Sequence, residues 1–599
     1  MKKLKKYWAV AIFILKNEGL SSLLKSAIYR LLKEKKYTIF WYRYKARKRN
    51  ILQMKEEQKH FKYRPKISVL MPVYNSNIKY LKQAIESVLT QIYQNIELCI
   101  CNDASSDPKV KKLLKKYQSK EPQVKIIHHI RNKNISEALN SAYELSNGEY
   151  VALVDHDDKL AKNALFEVVK HIQKSMPDII YTDEDKITPH GFHLTPFFKP
   201  DWSPELLMSI MYMGHLTVYR RSLLEKVGGF RKGYEGSQDY DLALRATEEV
   251  IKSSASHNPY EKILHIPKIL YQWRKHKKST AKEISVKSYT KQSAKKALKD
   301  SLRRRNIEGK VEDGLWMGSY RVKRKIKTSP LVSIIIPFRD QVNMLKRCLE
   351  SIETKTHYKK YEILLVDNQS KEEETKKFLK ALTEKKLFSF SQRTLTYDNP
   401  FNFSKINNCA AKKVNGEILL FLNNDTEVIE PNWLESMLEH IENPEIAIVG
   451  ALLLYPNNTV QHAGVVLGIA GTCSHAFRHV SDTFHGYMGL KDVVRNVSAV
   501  TGACLMVSKE KFEKLGKFDE RYETAYQDVD LCLRALQKGY RNVYTPFSKL
   551  YHHESVTRKQ SFGKKDTEQF LENWRSFIAK GDPYYNTNLS LEREDFRPR

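Results

Sequence analysis

An apolar run that stops on carboxylates most narrows what this chain can become: Val151 to Val154, followed by Asp155, His156, Asp157 and Asp158. Such a run reads as a strand buried on both faces, as in a parallel sheet, and ligands of open α/β sheets lie outside the carboxyl ends of such strands. Crowded carboxylates repel one another unless a cation holds them, and a hard divalent ion with oxygen ligands suits three aspartates. A solvated acidic turn would look the same by itself. A second copy separates the two readings: Ile418 to Leu422 is again apolar and ends on Asn423, Asn424 and Asp425.

From Pro65 onward strands and helices alternate. Lys66 to Met71, Asn95 to Cys101 and Val124 to His128 read as strands, with helices over Tyr80 to Gln91, Val110 to Tyr117 and Asn134 to Leu145. That rhythm predicts an α/β fold with a doubly wound, mostly parallel sheet. The series restarts at Pro330, and Gly416-Glu417 repeats the Gly148-Glu149 that precedes the acidic strand. Pro72 to Asp103 is 31 positions and Pro337 to Asp367 is 30; Asp103 to Asp157 is 54 and Asp367 to Asp425 is 58. Matched order at near-equal spacing indicates a duplicated domain. The chain thus divides into a basic amphipathic segment (1–62), a first domain (63–282), a basic connector (283–329), a second domain (330–580) and a tail (581–599).

At 599 residues the chain exceeds a single core. Its formal charge of +33 predicts anionic partners: a lipid surface, nucleic acid or phosphorylated substrates. The basic residues are spread over termini, connector and helices and form no reading element, so no nucleic acid is expected, and a nucleic-acid-binding protein stands as a distant alternative. Neither a Gly-rich dinucleotide fingerprint nor a P-loop stands at a strand–helix junction, which weighs against other nucleotide-binding α/β enzymes. None of the seven cysteines has metal-ligand spacing, as expected for reduced thiols in the cytoplasm. Tyr7 to Leu15 follows basic residues like a signal peptide, but no cleavage site follows and the run is too short to cross a bilayer. Leu20, Leu24, Ile28 and Leu31 then repeat at helical spacing beside Lys25, Arg30 and Lys33. This pattern predicts a helix on an anionic leaflet, and so a peripheral protein on the inner face of the cell membrane.

Four motifs recur in order. The first copy has Pro72 to Asn75, Asp103, Asp155 to Asp158, and Gln238-Asp239-Tyr240-Asp241; the second has Pro337, Asp367, Asn423 to Asp425, and Gln527-Asp528-Val529-Asp530. Together they resemble family 2 glycosyltransferases with the GT-A fold, of the kind that build bacterial surface polysaccharides. The resemblance implies two tandem GT-A domains that take nucleotide-sugar donors, use Mg2+ or Mn2+, and transfer a hexosyl or deoxyhexosyl group with inversion to a lipid-linked glycan acceptor. Donor binding would fall to Pro72, Tyr74, Asn75, Asp103 and Asp155, and in the second copy to Pro337, Arg339, Asp367 and Asn424. The metal would be held by Asp155, Asp157 and His276, and by Asp425 and His553, with His552 as the alternative to His553. Asp239 and Asp528 are the expected general bases, with Asp239 at a helix start, where negative charge is favoured. Gly229, Gln238 and Asp241, and likewise Gly502, Gln527 and Asp530, are expected on the acceptor side.

The second copy departs from the pattern, because Asn423 and Asn424 replace carboxylates and weaken a cation's hold. Either both sites work, or the second positions the acceptor. The retained Gln527 to Asp530 favours two working sites.

Overall fold

The computed structural model describes residues 48–253, 261–275, 284–384, 387–553 and 563–599. Most of the amphipathic N-terminal segment, through residue 47, and His276 lie outside these described residues. Two sheets dominate. The first comprises β1 (Ile67–Val73), β2 (Ile96–Asn102), β3 (Val124–His128), β4 (Tyr150–Leu153), β5 (Lys159–Leu160), β6 (Ile179–Ile187), β7 (His193–Phe197), β8 (Thr217–Arg220) and β9 (Ile263–Arg274). Its order is β3-β2-β1-β4-β8-β6-β9-β5, with β7 on β6. The connector helix Ile284–Arg304 and a two-stranded ribbon, β10 (Gly309–Asp313) with β11 (Tyr320–Arg324), follow.

The second sheet uses β12 (Val332–Phe338), β13 (Tyr361–Asp367), β14 (Ser391–Thr396), β15 (Ile418–Leu422), β16 (Thr426–Val428), β17 (Ile446–Leu454), β18 (Val460–His462), β21 (Arg495–Val497), β22 (Cys504–Ser508) and β23 (Arg541–His552). Between them β19 (Val465–Leu467) pairs with β20 (Cys473–His475). The second order, β14-β13-β12-β15-β22-β17-β23-β16, repeats the first strand for strand. These are two tandem GT-A domains. In each, the first four strands run parallel, while β8 and β22 run antiparallel to their neighbours.

Local sequence explains the repeat. Helix Ile78–Leu89 buries Leu81, Ala84, Ile85 and Val88 at helical spacing, and Asn77 caps it by accepting from the N–H groups of Lys79 and Tyr80. The glycine before each acidic strand is required by close approach. A Cβ on Gly148 would stand 2.5 Å from the Ser68 hydroxyl, and one on Gly416 the same 2.5 Å from that of Ser333. Each serine accepts the glycine N–H at 2.8 Å and donates to a buried glutamate, Glu97 or Glu362.

The two domains share a buried interface. The Glu205 carboxylate accepts from Asn496 at 2.6 Å and from Arg541 at 3.1 Å, and the Arg541 guanidinium and Asn496 amide hold its pKa down to about 2 against the effect of burial. Residues 581–599, set apart as a tail by sequence, instead clasp both domains. Asn586 donates to both Asp183 oxygens at 3.0 Å, Asp582 accepts the Leu467 N–H at 2.8 Å, and Phe596 stacks on Phe477 at 4.3 Å. Among the described residues no helix is long and apolar enough to cross a membrane.

This clasp carries a pH dependence. His265 is buried between Asp183 and Asp201, with its ring nitrogens 2.9 Å from each. Burial alone would lower its pKa, but the two carboxylates raise it to about 9. The histidine therefore contributes stability that is complete below its ordinary pKa of about 6.5 and lost as pH rises through about 9. Thermal unfolding followed across that window should show a falling midpoint, and His265→Gln should flatten the slope. Asn586→Ala should cost about 3 kcal/mol by removing two bonds to a buried carboxylate, read by denaturant unfolding.

Candidate functional site

Both sites form where the central strand of each sheet ends. In the first, Asp155 and Asp157 reach solvent, while Asp158 is buried and accepts from the Tyr271 hydroxyl at 2.7 Å and the Arg274 N–H at 2.6 Å. Burial, reinforced by repulsion from Asp157 and Asp155, pushes the Asp158 carboxyl well above the usual range. Asp158 thus ties β9 to the site, while Asp155 and Asp157 stay partly exposed at the strand end. Asp239 stands in the first turn of helix Gln238–Ser253, as the sequence predicts. Burial raises its pKa, opposed by the charge of His215.

His215 is a site residue that sequence reasoning missed. Its Nε2 lies 3.7 Å from Asp155 Oδ2, and its ring stacks on Tyr271 at 4.5 Å. Its backbone N–H donates to Glu184 at 2.9 Å, and the buried Lys199 ammonium donates to its carbonyl at 2.6 Å. The one available signal was its place beside Gly214 just before β8, the place that Gly502-Ala503 occupies before β22.

In the second site Asp425 lies 3.1 Å from His552 Nε2. Burial would raise the Asp425 pKa, but the charge and hydrogen bond of His552 bring it below the usual value. The Gln461 amide rests against Nδ1 of the same ring, and Asn423 Nδ2 is 3.3 Å from Nε2. Asp528 Oδ2 accepts the Gly502 N–H at 2.6 Å and Oδ1 the Val529 N–H at 2.8 Å. Burial raises the Asp528 pKa, and these two hydrogen bonds oppose it.

Strand register corrects several sequence-based pairings. Val73 faces Asn102 as Phe338 faces Asp367, so Asp103 matches Asn368, and Asp367 matches Asn102. The discrepancy of 31 against 30 positions already signalled this shift. Asp103 is buried, with Oδ1 2.6 Å from His129 Nδ1 and accepting the Lys133 N–H at 2.8 Å. Asn368 donates instead to the carbonyls of Tyr397 and Asn399. His552, rather than His553, meets Asp425, because β23 pairs His552 with Thr426 and successive strand residues face opposite ways. His553 lies 3.2 Å from Glu427.

The other expected residues divide between exposed loops and scaffold. Tyr74 and Arg339 occupy matching, exposed loop positions. Asn75 instead ties its loop to the one after β2, accepting from the Ser106 N–H at 2.8 Å, and Asp340 does the same for the loop after β13, accepting from the Lys371 N–H at 2.7 Å. Pro72 and Pro337 lie within β1 and β12, and Asn424 follows β15. Gln238 accepts the Gly236 N–H at 2.8 Å, and Gln527 is buried. Asp241 and Asp530, expected on the acceptor side, are buried in ion pairs, Asp241 with Arg231 and Arg245 and Asp530 with Arg534. Gly229, at φ +63°, follows the Gly228 that caps helix Arg221–Val227, and its carbonyl accepts from Arg245 at 2.7 Å; the match of Gly229 in the second domain is Lys517. Of the six residues expected on the acceptor side, Gly502 is hydrogen-bonded to a candidate base, through its N–H.

Among the described residues no three histidine, cysteine or acidic side chains converge closely enough to hold a metal ion by themselves. The first site nonetheless fits Mg2+ or Mn2+ in its donor chemistry. Such ions are bound by one or two carboxylates plus substrate phosphates, and Asp155 and Asp157 provide those carboxylates.

Two duplicated α/β domains, each with a carboxylate opposite a strand-end polar cluster, define a tandem enzyme-like architecture. The model of glycosyl transferase family 2 matches residues 68–228 and 333–516, and the chain belongs to that family. The chain is 40% identical over 547 residues to an uncharacterized protein, y4gI, of Sinorhizobium fredii, covering 89% of this chain and 58% of that one. It is 35% identical over 541 residues to the O-antigen biosynthesis protein RfbC of Myxococcus xanthus, covering 89% of this chain and 41% of the relative. The chain thus spans about half the length of these relatives. A crystal structure of GalNAc-T7 with UDP, GalNAc and Mn2+ aligns over 42% of this chain and 50% of that chain, at 17% identity and a TM-score of 0.35.

Asp241→Asn should destabilise the protein by about 3–5 kcal/mol, because it leaves a buried arginine uncompensated. Denaturant unfolding measures this, and an unchanged midpoint would show that Asp241 does not anchor the helix.

Proposed function

We propose that the chain transfers sugars from nucleotide-sugar donors to a growing surface glycan, lipid-linked and met at the inner face of the membrane, with one site in each domain (63–282 and 330–580). The observation that carries this reading is the repeated placement of a half-buried aspartate, Asp239 or Asp528, in the first turn of a helix beside the strand-end polar cluster. A relative whose name assigns it to O-antigen biosynthesis supports the glycan product.

Transfer needs a base for the acceptor hydroxyl and relief of charge on the leaving diphosphate. Asp239 and Asp528 take the proton. Burial raises the affinity of each for it, and a base with its pKa moved towards the working pH is the more effective. The Gly502 and Val529 N–H groups each hold one Asp528 oxygen and so orient the carboxylate, whose remaining lone pairs would accept from the hydroxyl. Asp155 and Asp157 would hold Mg2+ or Mn2+, which when bound draws charge off the diphosphate. Asp103 and Tyr74 line the donor side. Direct displacement by the activated hydroxyl inverts the anomeric carbon.

A second reading is that the second domain positions acceptor rather than turning over donor. It is favoured by Asn423 and Thr426 in the places of Asp155 and Asp158, and by His552 resting on Asp425.

Asp239→Asn and Asp528→Asn separate these readings. With two working sites, each variant loses about 10²–10⁴-fold in one of two glycosyl transfers, measured with a nucleotide-sugar panel on the full chain. If only Asp239→Asn matters, the second domain is not catalytic. Full activity in both variants would sink the mechanism.

A further inference from the structure

Besides His156, which lies within the acidic turn itself and 4.0 Å from Asp157, each site sets a histidine from outside that turn against a carboxylate, and the two come from different elements. In the second site it is His552, the last residue of β23. Strand register puts Trp273 at the corresponding place in the first site, since Lys159 pairs Gln272 as Glu427 pairs Tyr551. The first site's histidine comes instead from the turn before β8, at His215, where the second site has Ala503.

The geometry points to His215 as a ligand, together with Asp155, for a divalent cation that also carries the donor diphosphate, and this rests on the reading of the first site as metal-dependent. Nε2 and Asp155 Oδ2 are 3.7 Å apart. Neighbouring ligands of an octahedral ion with bonds of about 2.1 Å lie about 3 Å apart, so a small side-chain rotation closes the gap. Mg2+ and Mn2+ seldom use all-protein cages, and phosphate oxygens and water complete their shells. Two or three protein donors are therefore enough.

The imidazole is held where a ligand is needed. Tyr271 stacks beneath it at 4.5 Å and also accepts the Asp155 N–H at 3.2 Å, so one tyrosine sets both donors. The Tyr271 hydroxyl is itself fixed on Asp158 at 2.7 Å. Glu184 holds the histidine's N–H, and Lys199 holds its carbonyl and that of Met213. Lys199 and Glu184 form a buried ion pair at 3.1 Å. Buried pairs of this kind add little net stability. What this one does here is fix the turn that carries His215. Trp273 closes the edge of the ring at 6.3 Å, occupying the place from which the second site sends its histidine.

The test measures cation binding directly. Mn2+ is titrated calorimetrically into the full chain carrying Asp425→Asn, so that the first site is read alone, with saturating UDP, GDP or dTDP. His215→Ala is expected to weaken nucleotide-dependent Mn2+ binding about tenfold or more, and His215→Ala with Trp273→His is expected to recover most of it. Circular dichroism and the unfolding midpoint check that both variants fold. Unaltered Mn2+ affinity in a folded His215→Ala, or its loss on His276→Ala instead, would overturn the assignment while leaving metal dependence standing. Absence of any nucleotide-dependent Mn2+ binding in the parent would overturn the metal-dependent reading and this assignment with it.

Discussion

The site geometry depends on one buried interaction, repeated in each domain: an aspartate paired with an arginine one helical turn further on. Asp241 and Arg245, like Asp530 and Arg534, lie on the helix that begins with the base. Each guanidinium also donates to two carbonyls of a preceding turn, those of Val227 and Gly229 or of Leu515 and Lys517. That turn is bound in both directions to an asparagine, Asn140 or Asn408, on the helix leading into the acidic strand. Base and carboxylate cluster are therefore held by one chain of buried polar contacts. A buried ion pair adds little net stability, but breaking it is costly, so it suits a part whose job is to keep a distance constant.

On this common scaffold the two sites differ in charge. The first retains two solvent-facing carboxylates with His215 beside them. The second has Asp425 with His552 against it, and strand register corrects the reading of both asparagines as replaced acids: Asn423 stands where the first has Asp155, Asn424 where it has His156 and Thr426 where it has Asp158. Both bases are half-buried and shifted towards holding a proton, yet their surroundings differ: the His215 charge opposes the shift at Asp239, and backbone N–H groups oppose it at Asp528. The duplication conserves positions and varies the groups that balance the charge.

The domains are not beads on a string. Arg541 of the second domain neutralises Glu205 of the first, and the C-terminal residues bind Asp183 of β6 at one end and the Leu467 and Phe477 segments at the other. Asp183 immediately precedes Glu184, which holds the His215 turn. The clasp that joins the domains thus abuts the first site through one strand.

Sequence alone determined the architecture, because buried parallel strands must be apolar throughout and must end where ligands bind, and both signatures are local. The duplication, the acidic strand ends and the helix-borne aspartates Asp239 and Asp528 were legible for that reason. Roles that depend on what lies across space were not. Asp241 looks like Asp239 in sequence, and only folding shows that it meets two arginines. Asp103 and Asp367 look equivalent until strand register shifts them by one. His215 has no neighbouring motif, and the C-terminal residues resemble a tail, because their partners lie hundreds of positions away in the chain. Tertiary structure decided these, since hydrogen bonds and charge pairs select by distance, and the chain brings them together only when it folds.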